Sequence, residues 1–402
     1  MKRAYHYILI LLLLAVVGCS KRVDVQFEVD ETSPVPITLS ASVANSVSSK
    51  AAIENWNDTE VHVYGLKRTE RGYNYLDNTN IVDYKVRMAP GYSQLMNIYS
   101  DEAKTAPYFY TEGYVYDFFA YHISDAVVNK VDMNPDSYQM HLTFDGTQDL
   151  MCAAPDMTED IKSSTRSDIT FDLLYSSKSA RANINPTLVF NHALTRFVFV
   201  AKGMGDKYHN VQIKSLKIAS SNSGTMIFCR DSVSFVPDKA KQTDSLSLSK
   251  ADDTEFEVVE VEPNTEGIPL GGKGASILAA PGMDTLSVVI NLINKETGKG
   301  LDYTFTVDAS EVRLSDSGNS YSSDVFEAGH QYNIIIYIYG PEKIIITSTV
   351  AKWLSGGSYD IDPDVDGEVP VEPDAPTTPP VGDGNVSVGD YDKGDHLGDY
   401  GN

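Results

Sequence analysis

Along most of the chain, apolar residues alternate with polar ones at every second position instead of recurring every third or fourth. Strand-like runs cover Glu60 to Leu66, Tyr114 to Tyr121, Gln139 to Phe144, Leu188 to Ala201 and Val211 to Ala219. Five more cover Phe256 to Val261, Leu286 to Ile293, Tyr303 to Val307, Tyr332 to Tyr339 and Ile344 to Val350. They are rich in Val, Ile, Tyr, Phe and Thr, side chains that suit a pleated, half-buried surface. Turn residues such as Asn222-Ser223-Gly224, Pro281-Gly282 and Thr297-Gly298-Lys299-Gly300 separate most of them. Long stretches of helical period are scarce, and no short internal repeat occurs. The pattern predicts an all-β, antiparallel architecture of two sandwich-like domains in series.

Two shorter alternating pieces precede these runs, Val23 to Val29 and Ile37 to Val43. A polar stretch from Ser163 ends in Asn185-Pro186, just before the most apolar strand, and suggests a domain boundary there. The expected domains are 51–187 and 188–357, after a signal segment 1–18 and a strand-bearing segment 19–50. Ser355-Gly356-Gly357 then opens a tail, 358–402.

The N-terminus reads as an export signal. Lys2 and Arg3 precede an apolar run from Ile8 to Val17, followed by Gly18-Cys19-Ser20. That run is too short to span a membrane, which takes about 20 residues. Val16-Val17-Gly18-Cys19 resembles a bacterial lipobox, in which the thiol of Cys19 receives diacylglycerol and becomes the mature N-terminus.

Composition changes this picture in two places. At 402 residues, 42% hydrophobic and 10% aromatic, the chain has enough apolar surface to fill cores, so global disorder is excluded. The net charge of −24 argues against a nucleic-acid-coating protein, which needs a basic face to replace phosphate counterions. That charge is uneven: Asp360 to Asn402 holds twelve acids against Lys393 alone, which leaves −13 on the preceding 359 residues. An acidic, Pro-rich tail of this kind is expected to be disordered until a partner orders it.

Motifs for catalysis, metal and nucleotide fail at required positions. Gly267 to Lys273 approaches a phosphate-binding loop, but Gly274 stands where Ser or Thr should hold magnesium, and a strand follows instead of a helix. Asp362 to Gly367 imitates the start of a calcium loop, yet position twelve is Pro373. The eight His fall at no ligand spacing, and no G-x-S-x-G elbow occurs. No cofactor is expected. With Cys19 lipidated, Cys152 and Cys229 remain, in different expected domains, and read as two buried thiols.

Four segments gain meaning as a set. They are Tyr114-Val115-Tyr116-Asp117-Phe118-Phe119-Ala120-Tyr121, then Asp149-Leu150-Met151-Cys152-Ala153, then Leu188 to Phe199 with its His192-Ala193-Leu194-Thr195-Arg196 centre, and Phe326-Glu327-Ala328-Gly329-His330-Gln331-Tyr332. In this order, behind a lipobox and running on to Trp353, they resemble the fimbrillin family, the lipoprotein pilins of the Bacteroides-type (type V) pilus. The resemblance implies two transthyretin-like β-sandwich domains and a structural, non-enzymatic surface subunit. It implies an outer-membrane location through the lipid and assembly with other pilin subunits in support of adhesion.

Assembly in that family proceeds by strand exchange: a protease removes the N-terminal strand, and a partner's strand fills the opening. The cut expected here is Lys50-Ala51, a basic residue among small ones. Lys21-Arg22 lies too near the lipid, and Arg68 lies inside a core strand. The tail offers a donor strand: Tyr359, Ile361, Val365, Val369 and Val371 share one face, with acids on the other, although Pro363 and Pro370 interrupt it. The competing reading is a non-polymerising outer-membrane lipoprotein that binds glycan or host protein through its 24 Tyr.

Overall fold

β-branched and aromatic residues at alternating positions build twenty-three strands among the described residues, with only two short α-helices. In chain order the first are β1 (Thr38–Val43), β2 (Thr59–Thr69), β3 (Gly72–Tyr73), β4 (Ile81–Met88), β5 (Ser93–Asn97), β6 (Tyr116–His122), β7 (Val127–Asn134) and β8 (Ser137–Thr143). Next come β9 (Met151–Ala153), helices α1 (Met157–Lys162) and α2 (Ser177–Arg181), β10 (Thr187–His192) and β11 (Thr195–Gly203). They are followed by β12 (Val211–Ser220), β13 (Ser223–Cys229), β14 (Ser234–Pro237), β15 (Asp244–Ser247), β16 (Val259–Glu260), β17 (Ile268–Pro269) and β18 (Ile277–Ala279). The last are β19 (Thr285–Asn294), β20 (Gly300–Asp308), β21 (Arg313–Leu314), β22 (His330–Gly340) and β23 (Lys343–Lys352). The structure, a computed structural model, describes residues 33–43, 56, 58–69, 72–73, 80–89, 93–100, 103–134, 137–162, 168–229, 233–238, 244–250, 255–261, 267–314, 323–341 and 343–352.

Four sheets result. The first runs β3-β2-β6-β9-β10-β1-β5, with β4 also on β2; the second runs β14-β13-β8-β7. The third runs β17-β11-β22-β23-β21, with β18 on β11, and the fourth β15-β12-β19-β20, with β16 on β12. Among the described strands, pairing is antiparallel except for β1 with β10, β11 with β22 and β21 with β23.

Two cores fill them. The first collects Leu39, Val61, Val63, Phe118, Ala120, Leu188 and Phe190 from one face of the first sheet, with Ile169, Leu174, Tyr175 and Ile184 closing over it. In the second, Phe197, Phe199, Tyr332, Ile334 and Ile336 of the third sheet join Ile213, Ile218, Val288 and Ile290 of the fourth. Tyr64, Leu66, Phe119 and Tyr121, on the other face of β2 and β6, also belong to the second core, through Tyr138, Met140, Met226 and Phe228 of the second sheet. Strands β2 and β6 are therefore buried on both sides.

The run from Leu188 to Ala201, expected as one strand, is two. At Ala193-Leu194 the chain leaves one sheet for another: the amide of Ala193 donates to the Leu150 carbonyl, and that of Gly329 to the Leu194 carbonyl. Strand β10 pairs with β9 and β1, so residues 187–192 lie in the first sheet, and Ile169, Leu174, Tyr175 and Ile184 before it pack in the first core. The second sheet joins β8, from the first expected domain, to β13, from the second. Of Phe256 to Val261, only Val259–Glu260 is strand. Strands β4 and β7 were not visible as alternation because each ladder carries a register shift, at Val63/Gly65 opposite β4 and at Val128/Lys130 in β7.

One buried histidine ties stability to pH. The His122 Nδ1 lies 2.7 Å from the Glu60 carbonyl, and its Nε2 accepts from the Ser124 amide at 3.0 Å. The neutral ring with hydrogen on Nδ1 satisfies both; a proton on Nε2 would be set against the Ser124 amide and left with only the Ser124 hydroxyl oxygen, 2.9 Å away, to accept it. Burial pushes its pKa down, against the Glu60 carbonyl and Asp149, which raise it, and with His62 and His192, which lower it further. The unfolded chain then binds the proton more readily. The stabilisation is fully present above the unfolded value of about 6.5 and is lost as pH falls through the lowered folded value. Urea midpoints measured from about pH 7 to pH 5 should fall in the native protein and fall less in His122→Gln. Equal slopes would remove His122 as the cause.

Candidate functional site

Strand β1 occupies a slot in the first sheet. Its inward side chains Ile37, Leu39, Ala41 and Val43 are all buried, at a spacing of two, while Thr38, Ser40 and Ser42 face outward and are half-buried. On one side it runs parallel to β10, with Ala41 opposite Leu188 and Val43 opposite Phe190. On the other it runs antiparallel to β5, with Leu39 opposite Met96. Trp56, fully buried, stands edge-on to Phe190 with ring centroids 5.0 Å apart. The small Ala41 thus sits between larger neighbours, an arrangement that interdigitates without voids.

The frame of the slot is pinned by polar contacts. The amide of Ser40 donates to the Pro186 carbonyl at 2.9 Å, and that of Ile37 to the Tyr108 carbonyl at 2.8 Å. The start of β10 is fixed by Asp160, a buried carboxylate that accepts from the Tyr175 hydroxyl at 2.7 Å and the Thr187 amide at 3.1 Å. Burial, and then that carboxylate, raise the Tyr175 pKa, so its hydroxyl stays a donor. Helix α2 begins with a capping box between Ser176 and Ser179, and its Arg181 guanidinium donates to the Ser33 carbonyl at 2.8 Å, holding the approach to β1. The Ser-x-x-Ser spacing was the sequence signal for that helix; nothing local announced Asp160 or Arg181 as parts of the frame.

The profile of the fimbrillin-like family matches residues 49–353. The chain belongs to that family. A fimbrillin-like protein is structural and not an enzyme. Its sequence motifs here are joints. Asp149 and His192, from two of them, meet at 3.0 Å with both side chains buried. Phe197, from the same motif as His192, packs with Phe326 and Tyr332 of the fourth motif as a triad with centroids 4.8–5.6 Å apart. The Thr195 hydroxyl donates to the Glu327 carbonyl at 2.9 Å.

Among solved structures, the chain resembles a candidate cell adhesion protein of Bacteroides ovatus at 14% identity, with a TM-score of 0.46 over 81% of this chain and 100% of that one. It resembles another from Bacteroides uniformis at 14% identity, with a TM-score of 0.44 over 79% and 98%. A fimbrilin of Porphyromonas gingivalis matches at 11% identity, with a TM-score of 0.37 over 80% and 99%. No curated protein matches the sequence.

The expected lipid site Cys19, the cut at Lys50-Ala51 and the tail positions Tyr359, Ile361, Val365, Val369 and Val371 lie outside the described residues. Cys152 is a free thiol in β9, and burial pushes its pKa up to about 12. The near-phosphate loop, Gly267 to Lys273, is the short strand β17 and a turn. Among the described residues, no group of three or more His, Cys, Asp or Glu is placed to hold a metal ion, and no helix is long and apolar enough to cross a membrane.

Proposed function

We propose that this fimbrillin-like protein is a structural subunit of a bacterial surface pilus that supports adhesion. In this reading it is exported as a lipoprotein on Cys19, cut by a protease between Lys50 and Ala51, and polymerised by exchanging β1 for a neighbour's strand. The observation that carries the reading is the attachment of β1. Its side chains are core, yet its covalent link to the rest of the fold is the segment 44–58, in which Lys50 is the one basic residue. A cut there leaves β1 held only by its ladders and its buried faces, free to be displaced by a strand that fills the same four inward positions. The family match, which starts at Ser49, leaves β1 outside the shared body.

The tail supplies a replacement of the right length. Pro363 and Pro370 bracket six residues, Asp364 to Val369, and β1 is six residues long. In that register Val365, Gly367 and Val369 take the places of Leu39, Ala41 and Val43, so the residue without a side chain falls at the smallest of the inward positions. Asp364, Asp366 and Glu368 take the outward places of Thr38, Ser40 and Ser42. Pro363 then replaces Ile37 and forfeits one hydrogen bond, the one to Tyr108. The buried aliphatic side chains offset this at about 1.5–3 kcal/mol each.

Mass spectrometry of the assembled, surface-exposed form should find Ala51 as its N-terminus. Polymers whose subunits retain residues 20–50 would overturn the reading.

A further inference from the structure

The fold leaves strand β7 as an open edge of the second sheet. Among the described strands it pairs with β8 alone, so one row of its amides and carbonyls meets no described strand along eight residues. The opposite edge of the same sheet, β14, is four residues long and ends in Pro237, which has no amide to donate. Val128 and Val131 lie opposite Leu142 and Met140, which face the second core at 0% and 2% exposure, yet are themselves 42% and 48% exposed. The apolar face of the sheet therefore runs out past its core onto β7. Lys130 and Asp132 lie opposite His141 and Gln139 on the other face, with Nζ 2.8 Å from Oδ1. A lone lysine on an edge strand repels a second copy of that strand; here Asp132, two residues on, cancels its charge.

We propose that β7 is a lateral docking edge for β7 of a second copy of this chain, the two strands running antiparallel about a two-fold axis at Val131. Charge selects the register. With Val131 opposite its own counterpart, Lys130 falls opposite Asp132 of the second copy and Asp132 opposite its Lys130. An axis at Lys130 or at Asp132 sets like charge against like. The axis stands perpendicular to the sheet, so the apolar faces of the two copies adjoin and Val131 packs on Val131. The register shift at Val128/Lys130 lies outside this central trio, whose ladder to β8 is regular. The two second sheets thereby become one continuous sheet, and the exposed edge of each is paired. The contact uses neither β1 nor the tail, so it joins subunits side to side and stands or falls independently of the strand exchange.

Val131→Cys in the full chain, oxidised and run on non-reducing gels beside the unsubstituted chain treated alike, should give a disulfide-linked dimer. Opposite residues of an antiparallel pair have Cα atoms about 4.5–5.5 Å apart, within the about 4.4–6.8 Å that a disulfide spans. Asn129→Cys should stay monomeric, because its counterpart lies four residues along the ladder, about 13 Å away. Adding Lys130→Glu to Val131→Cys makes both cross-strand pairs carboxylate against carboxylate and should lower the dimer yield about tenfold. Adding Asp132→Lys as well reverses both pairs and should restore the yield, which separates lost complementarity from misfolding. A monomeric Val131→Cys, an equal yield from Asn129→Cys, a yield indifferent to Lys130→Glu or one that Asp132→Lys does not restore overturns the proposal.

Discussion

Lys50→Ala yields a folded, lipid-bearing monomer that does not polymerise. The substitution lies outside β1 and β2, so it leaves the inward set Ile37, Leu39, Ala41 and Val43 in place and the melting temperature unchanged. With the link intact, any displaced β1 stays covalently joined to the body, and rebinding within one molecule recaptures the slot ahead of a strand from another molecule. Other basic sites do not substitute. Arg68 lies within β2, its Nε donating to Asp117 at 3.0 Å, so a protease would have to unfold the first sheet to reach it. Lys21 and Arg22 precede β1, and a cut there leaves the strand joined to the body. Cell-surface fractions run on denaturing gels after mild heating should therefore lose their ladder entirely. A ladder of wild-type intensity would show that assembly does not need release of β1.

Leu39→Ala separates the two states of the subunit. In the uncut protein Leu39 is 0% exposed and lies opposite Met96, in the core that holds Trp56 and Phe190. Truncating such a side chain loses its transfer free energy and leaves a cavity, together about 2–5 kcal/mol. The proper background is Lys50→Ala, in which every molecule keeps the strand; there Leu39→Ala should lower the unfolding free energy from urea titration by that loss, with an unchanged m-value. In assembled pili, from which residues 19–50 have gone, the same substitution should leave stability untouched. An equal loss in both forms would mean that β1 stays in the polymer, and no loss in the uncut form would mean that the slot does not depend on it.

The sequence by itself determined the fold class and most of the long strands. In β12 and β19 the alternation of buried side chains with more exposed ones is a property of a single strand in a sheet with one core-facing side, so it is written locally. The inward set of β1 was legible for the same reason. The motifs, read together, also identified the family.

What the tertiary structure decided is which strands meet. Alternation names the faces of β1 but not its neighbours, and β10, its parallel partner, lies far along the chain. The run Leu188 to Ala201 stays apolar across Ala193-Leu194 because both sides are buried; only the carbonyls and amides of Leu150 and Gly329 show that two sheets divide it. Strands β2 and β6, buried on both faces, and the pairing of β8 with β13 join regions that composition would set apart. Asp160 and Arg181 read as ordinary surface charges until Tyr175, Thr187 and Ser33 are brought to them. Hydrophobic pattern is set by each strand's own exposure, whereas sheet order is set by hydrogen bonds and packing between segments distant in sequence, and no local period carries that information.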